Sequence, residues 1–268
     1  MLYLVGTPIG KMDDITQRAV QTLQQVYIVA CEDTRRTGLL LHKLGISKPL
    51  VSYYKHKEQE GAHYLVQQMS AGKNVALVSD AGMPCISDPG GILVRLARQN
   101  GINIAVVPGP TALTSALCLC GINTGFVFLG FLPEKKTDKD KLLVQYVTSP
   151  LPIVLYCASH DIEDTFGYLH DKLGDRTVYV AKELTKVYES VVVTDLGHAV
   201  DFDTHGEFVL IVEGKAEDDS TRLTIEEHVL RYIRMGMDKK QAVKQTAKDR
   251  GVPKDVVYKA ALEIQDEE

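Results

Sequence analysis

No stretch of the 268 residues is apolar for long enough to cross a bilayer, since no run approaches the roughly 20 residues a membrane helix needs. Nor does Met1-Leu2-Tyr3-Leu4-Val5-Gly6 carry the basic region of a secretory leader. It enters a glycine turn at once and is expected to be a first strand. Cysteine is scarce and scattered. Cys31, Cys85, Cys118, Cys120 and Cys157 are odd in number and form no C-x-x-C pair, which disfavours a disulfide framework or a zinc site and fits a reducing cytoplasm. Positive charge is short as well. With 30 Lys and Arg against 35 Asp and Glu, the formal net charge is −5, so a nucleic-acid partner needs a local basic patch. The dinucleotide fingerprint G-x-G-x-x-G is missing, which disfavours a nicotinamide oxidoreductase. No internal repeat or low-complexity tract appears.

What is present is the composition of a soluble globular protein, 45% hydrophobic and 24% charged, long enough for two modest domains or one large one. The stretch 75–97 organises the rest. Val75–Val78 is a short apolar run that reads as a buried strand, and it gives way to Ser79-Asp80-Ala81-Gly82-Met83-Pro84, which cannot continue one. Past Gly91, Ile92, Leu93, Leu96 and Ala97 recur at helical spacing. Strand, long structured turn and helix follow in that order. Ligands of open α/β sheets bind beyond the carboxyl ends of strands, where Asp80 can accept hydrogen bonds and Gly82, Gly90 and Gly91 let backbone N–H groups come close. A turn with no ligand would use the same Asp, Pro and Gly.

In chain order, residues 1–10 are a strand running into Gly-Thr-Pro-Ile-Gly, and Ala19, Val20, Leu23 and Val26 mark a helix. Tyr27–Cys31 is a second strand that delivers Glu32-Asp33-Thr34-Arg35-Arg36 at its end, either a site or a helix start capped by Asp33 or Thr34. Leu39–Leu44 is a helix stopped by Gly45, Leu50–Tyr54 a third strand, 55–58 a polar loop and 60–71 a helix. Ile104–Val107 ends in Pro108-Gly109-Pro110-Thr111-Ala112, a second candidate cradle opening a helix. Strands and helices alternate through residue 120, so the expected fold class is α/β with a parallel sheet covered on both faces.

Residues 134–141 carry Lys135, Lys136, Lys139 and Lys141 and read as a mobile basic loop or as a solvated helix start. Strands at 153–157, 177–181, 187–193 and 207–213 with a helix at 161–173 make a second α/β domain with some antiparallel pairing. The expected domains are 1–122, 123–219 and a helical, helix-turn-helix-like extension over 220–268. That extension starts at Thr224-Ile225-Glu226-Glu227, and Lys239, Lys240, Lys244 and Lys248 should lie near one another. It either contacts RNA or covers a hydrophobic surface.

Six ordered motifs carry a resemblance: G-T-P-I-G at 6–10, E-D-T-R at 32–35, V-S-D-A-G-x-P-x-I-S-D-P-G at 78–90, P-G-P-T-A at 108–112, G-F-L-P at 130–133 and K-E-L-T-K at 182–186. Together they resemble the S-adenosylmethionine-dependent tetrapyrrole-methylase superfamily, and within it the branch that methylates a cytidine ribose 2′-oxygen in 16S rRNA. The resemblance implies two α/β domains with the methyl-donor cleft between them, S-adenosylmethionine as donor, a homodimer, 16S rRNA or the small ribosomal subunit as partner, and neither a metal, a membrane nor DNA. Thr7, Pro8, Ile9, Asp80, Met83, Thr111 and Ala112 should line the donor site with Gly82, completed by Cys157 and Ala158 after Tyr156. The expected base for the 2′-hydroxyl is Glu183 or Glu32, with Arg35, Lys182 or Lys186 holding phosphates.

The chain departs from the branch at Lys11, Met12, Met83, Tyr54–Lys57 and 157–161, and Lys182 replaces an Arg. These departures keep two alternatives open: a small, tetrapyrrole-like acceptor on the same fold, or a donor-binding RNA protein without catalysis.

Overall fold

The structure, a computed structural model, describes residues 1–215 and 223–262. It divides into two compact units, Met1–Gly214 and Lys215–Glu268.

The first unit holds two sheets. In the amino-terminal half, β1 (Leu2–Val5), α1 (Gln17–Gln25), β2 (Ile28–Cys31), α2 (Thr34–Lys43), β3 (Leu50–Ser52), α3 (Glu58–Ser70), β4 (Val75–Leu77), α4 (Gly91–Gln99), β5 (Ile104–Val107) and α5 (Ala112–Leu119) alternate. The strands form one parallel sheet in the order β3-β2-β4-β1-β5. Period-2 alternation makes it two-sided. Leu2, Val75 and Leu77 pack on one face with Leu65 and Leu93, while Val5, Ala76 and Val78 pack on the other with Leu23 and Leu41.

The second half runs β6 (Val127–Phe131), α6 (Lys136–Leu143), β7 (Ile153–Ala158), α7 (Ile162–Leu173), β8 (Thr177–Lys182), β9 (Ser190–Asp195) and β10 (Glu207–Val212). Its sheet is ordered β6-β7-β10-β8-β9, with only β6 and β7 parallel. Leu155, Phe208 and Leu210 face α7, while Val154, Val209 and Ile211 face Ala116 and Leu117 of α5. The last helix of the first half therefore seals the open face of the second sheet. That shared core fixes the two sheets against each other. The change expected at 122/123 falls between α5 and β6, and the one at 219/220 lies outside the described residues.

Of the two readings of the lysine-rich stretch, the helix start is the one found, as α6. Asp140 accepts from the Tyr168 hydroxyl at 2.8 Å and pairs with Lys172, Lys139 lies over the Tyr168 ring, and Leu143 is fully buried. The strand expected from Val187 begins only at Ser190. Val187 is 91% exposed in a turn, because β9 follows β8 in antiparallel register from Lys182 opposite Ser190 and the turn needs the residues between.

Just before β8, the buried Arg176 guanidinium donates to the carbonyls of Val147 at 2.6 Å, Glu213 at 3.3 Å and Tyr146 at 3.5 Å, and among the described residues it forms no ion pair. Burial lowers its pKa. Arg176→Met leaves three part-buried carbonyls short of a donor and is expected to cost about 1–3 kcal/mol in urea unfolding, whereas a surface change costs within about 0.5.

The second unit contains α8 (Ile225–Arg234), α9 (Lys239–Arg250) and α10 (Lys254–Ala261). A capping box starts α8: Glu227 N–H donates to Thr224 Oγ1 at 3.2 Å, and Thr224 N–H donates to Glu227 Oε2 at 2.7 Å. Gly251, at φ +62°, ends α9, and Pro253 caps α10. Val229, Ala242, Val243, Ala247, Val257 and Ala261 form a core of its own. The helix expected over 253–264 ends within its described residues at Ala261, and the rest of it lies outside them.

Candidate active site

The carboxyl ends of β1, β2, β4 and β5 carry the turns of four motifs, and backbone contacts tie those turns together. Thr7 and Gly82 exchange N–H···O bonds of 2.9 and 3.1 Å, an isolated two-residue bridge. The Thr7 hydroxyl donates to Ser79 O at 3.1 Å and is 1% exposed, so it fastens the first turn to the third. Gly6 meets Gly109 backbone to backbone: a Cβ on Gly109 would stand 2.9 Å from Gly6 Cα. Thr111 caps α5 through Thr114 N–H. Across from them, the turn after β8 carries Glu183 and Thr185 at φ +49° and +64°, and Thr185 Oγ1 accepts from Lys11 N–H at 3.0 Å. Positive φ at two non-glycine residues is strained backbone held by its surroundings.

These turns enclose a cavity of about 290 Å³. Five of the six motifs line it directly, through Ile9, the run 80–83 with 86–88, Thr111 and Ala112, Phe131, and Leu184 and Lys186. E-D-T-R reaches it through the next residue, Arg36. Tyr156, Cys157 and Ala158 at the end of β7 and Glu207–Val209 at the start of β10 close the second side. Of the residues expected at a donor site, Ile9, Asp80, Gly82, Met83, Thr111, Ala112, Cys157 and Ala158 line the cavity. Thr7 and Pro8 do not, Thr7 being spent on the bridge beneath it.

The residues expected to do chemistry are more dispersed. Lys186 lines the cavity, with Nζ 2.9 Å from both Glu183 Oε1 and Glu207 Oε2. Burial would lower its pKa, but those carboxylates outweigh that and raise it. Glu183 stands behind the lining. Its Oε1 also accepts Glu207 N–H at 2.9 Å. Burial alone would raise the carboxyl, yet Lys186 and that N–H hold it below the usual range. Lys182 is buried against Asp203, so it meets no phosphate as it stands. Arg35 is 90% exposed and turns back to Asp33, which caps α2. The next residue, Arg36, faces the cavity and pairs with Asp80 Oδ2 at 3.4 Å.

Two groups at the site, Glu58 and Asp88, were missed by sequence reasoning, while Tyr156 stands where the expected strand end placed it. Glu58 Oε1 accepts from Gly90 N–H at 2.8 Å, Ile92 N–H at 3.3 Å and the Tyr53 hydroxyl at 3.2 Å, which holds the start of α4 under the 78–90 turn. Asp88 lines the cavity. Tyr156 packs edgewise on Phe128 and Phe131, with centroids at 5.0 and 5.5 Å. A hint existed for Asp88, since the motif carries two aspartates and only the first was assigned. Glu58 lies 32 residues from its main partner and gave no local signal.

Electrostatically the cavity has an acidic side. Glu32, expected as a base, is not among the lining residues; burial raises its pKa, and Asp80 raises it further, against Arg36. Asp88 is pushed up to about 6 by burial first and by Glu32 second, partly opposed by the Ser79 hydroxyl. A carboxyl raised on folding contributes stability that is complete below its unfolded value and lost as pH rises through about 6. Asp88→Asn is therefore expected to melt a few degrees above the parent at about pH 8 and level with it at about pH 4. Equal melting points at both pH values contradict this.

The model of the family "Tetrapyrrole (Corrin/Porphyrin) Methylases" matches residues 1–200. This chain belongs to the tetrapyrrole methylase family. The methylase is also 40% identical over 272 residues to "Ribosomal RNA small subunit methyltransferase I" of Bacillus subtilis (strain 168), covering 97% of this chain and 93% of the relative. The relative of that name from Haemophilus influenzae is 41% identical, covering 98% and 96%. Among solved structures, the methyltransferase CobJ matches with a TM-score of 0.62 at 16% identity over 80% of this methylase and 94% of CobJ, a likeness of fold alone. The two sheets are thus those of the family, and the cavity lies where its motif turns converge.

Cavity chemistry suits a donor that combines a purine, hydroxyls and positive charge. Ile9, Met83 and Leu184 are apolar, Phe131 and Tyr156 present ring edges, and Asp80 and Asp88 supply carboxylates. Gly82 holds φ +81°, and a Cβ there would point into the gap between Ile9 and Pro110, at 3.4 and 3.5 Å. Space is left for that Cβ, so it is the positive φ that favours glycine. Among the described residues, no group of three or more His, Cys, Asp or Glu is arranged to hold a metal.

Proposed function

We propose that this chain is an S-adenosylmethionine-dependent ribosomal RNA methyltransferase, acting on the ribose 2′-oxygen of a cytidine in 16S rRNA of the small subunit. The carrying observation is near-full-length similarity to relatives named for small-subunit ribosomal RNA methylation, in a chain five of whose six motifs line one cavity. In this reading residues 1–122 and 123–219 flank the donor, and 220–268 is an extension. Five free thiols fit the cytoplasm, and no described helix is long and apolar enough to cross a membrane. The homodimer belongs to the reading too, and sedimentation tests it.

When bound, the donor supplies an already activated methyl group. The chain then needs to orient the acceptor and take its proton. As the ribose oxygen bonds to the methyl carbon, the carbon–sulfur bond breaks and the hydroxyl proton passes to a carboxylate. Glu32 is the better base of the two expected glutamates. It directly precedes Asp33, whose N–H bonds to the lining Asp80, and its pKa is raised, whereas Glu183 is lowered and already accepts two hydrogen bonds that shape its turn. Lys186 on the wall and the exposed Arg35 hold phosphates, and Asp80 holds the donor.

Asp80 also accepts Asp33 N–H at 3.2 Å. Asp80→Ala removes a charge-assisted bond to the donor and is expected to weaken its binding about 10- to 100-fold by calorimetry. The function itself is tested by offering labelled donor with small ribosomal subunits in one reaction and a uroporphyrin-type tetrapyrrole in another. Label entering only the RNA supports the proposal, and label entering only the tetrapyrrole sinks it.

A further inference from the structure

The formal net charge of −5 gives the chain no general attraction to a polyanion. Basic residues are nevertheless unevenly placed. Residues 223–262 carry nine Lys and Arg against five Asp and Glu. Within that unit, α9 and the first turn of α10 form a shallow groove lined by Gln241, Lys244, Gln245, Lys248 and Lys254. No acidic residue lines it. The carboxylate of α9 is turned elsewhere: Asp249 accepts from the Tyr232 hydroxyl on α8 and from Gln245 Nε2 at 2.8 Å. Asp238 is likewise committed, capping α9 through Gln241 N–H at 2.7 Å.

Lys244 and Lys248 stand one turn apart, so their ammonium groups share one face of α9. Lys254 opens α10 beside them, where unpaired backbone N–H groups add positive potential. All three lysines are exposed, and among the described residues none takes part in an ion pair. Three like charges across a helix turn repel one another, a cost that a polyanion relieves. Spacing of about one helical turn between point charges suits successive phosphates of a nucleic-acid backbone, and the two amides can bond to sugar or phosphate oxygens.

We propose that the α9–α10 groove is an RNA-binding surface that grips the phosphate backbone of the substrate RNA, apart from the methyl-transfer cavity. It deepens the proposed function and rests on it for the identity of the RNA. The contact is electrostatic and carries no sequence information, so it anchors the substrate while the cavity selects the nucleotide.

The test is binding of the full chain to small ribosomal subunits across a salt series, for the parent and for a K244Q/K248Q/K254Q variant. Glutamine keeps helix propensity and removes charge. Each phosphate contact contributes about 0.7–0.9 to the slope of log affinity against log salt, so three lost contacts should flatten the slope by about 2–3. Between about 50 and 200 mM salt the parent should then lose roughly 20- to 60-fold more affinity than the variant. Helical circular dichroism and donor affinity by calorimetry should be unchanged. A shared slope with intact parental binding overturns the inference alone. If only self-association changes, the groove is a protein contact and the inference is wrong. A parent that binds no subunits, yet still binds the donor, overturns the proposed function as well.

Discussion

Glu32→Gln is expected to slow methyl transfer to RNA by about 10²- to 10⁴-fold while leaving donor affinity nearly unchanged, the range a positioned base contributes. Glu32 follows β2 directly, and α2 begins two residues on with Asp33 as its cap; Asp33 N–H donates to the cavity-lining Asp80, which keeps Glu32 close to the cavity though not in its lining. Burial and the neighbouring Asp80 favour its protonated form, which makes it a stronger base than an exposed carboxylate. Glutamine keeps the shape and cannot take a proton. The matching change Glu183→Gln should act differently, because that carboxyl holds Lys186 and Glu207 N–H in the strained turn. It should weaken donor and RNA binding more than the transfer step. Full transfer by Glu32→Gln with transfer lost in Glu183→Gln would reverse the assignment.

Gly109→Ala should weaken donor binding about 100-fold, the scale at which a misplacement near 1 Å acts on a site. The new Cβ would stand 2.9 Å from Gly6 Cα, 3.0 Å from Gly6 C and 3.1 Å from Gly6 O. All three are backbone atoms, so no side chain can swing away. The two turns must part. Parting moves Thr7, whose bonds to Gly82 and Ser79 fix the 78–90 turn, and Thr111, which opens the helix on the other side. A stability cost of about 1–3 kcal/mol should accompany the lost affinity. Gly101→Ala is the control. It lies in an open turn at φ +68° with nothing near its Cβ, so it strains the backbone without touching the cavity. Equal donor affinity in the two variants would show that the close approach at Gly6 does not shape the site.

Much of the scaffold was legible because its signals are local. The apolar runs at 2–5, 28–31, 75–77 and 104–107 became the parallel strands, and each ends where a Gly, Asp or Pro forbids continuation. Asp33 and Thr111 sit at caps that their side chains explain without any tertiary contact. The cavity lining was legible to the extent that it comes from those turns.

What escaped depends on pairing across long stretches of chain. Glu58 acts on Gly90, Arg36 on Asp80, and Arg176 on carbonyls some 30 residues away on either side. The lysine-rich stretch after Gly130 read equally as a loop or a helix start, since Asp140 and Leu143 find their partners only once α7 is in place. Charge in the sequence did not give side-chain orientation either. Arg35 and Lys182 fall at the ends of the right elements, but one turns to solvent and the other is buried against Asp203.

One measurement bears most directly on the central claim. Small ribosomal subunits lacking the modification are incubated with the protein and labelled S-adenosylmethionine, and the 16S rRNA is digested and its nucleosides separated. The account predicts label in a single 2′-O-methylcytidine, absent when the Asp80→Ala variant replaces the parent at limiting donor. Label on a base, on another nucleotide, or on no RNA at all while calorimetry shows the donor bound, would contradict it.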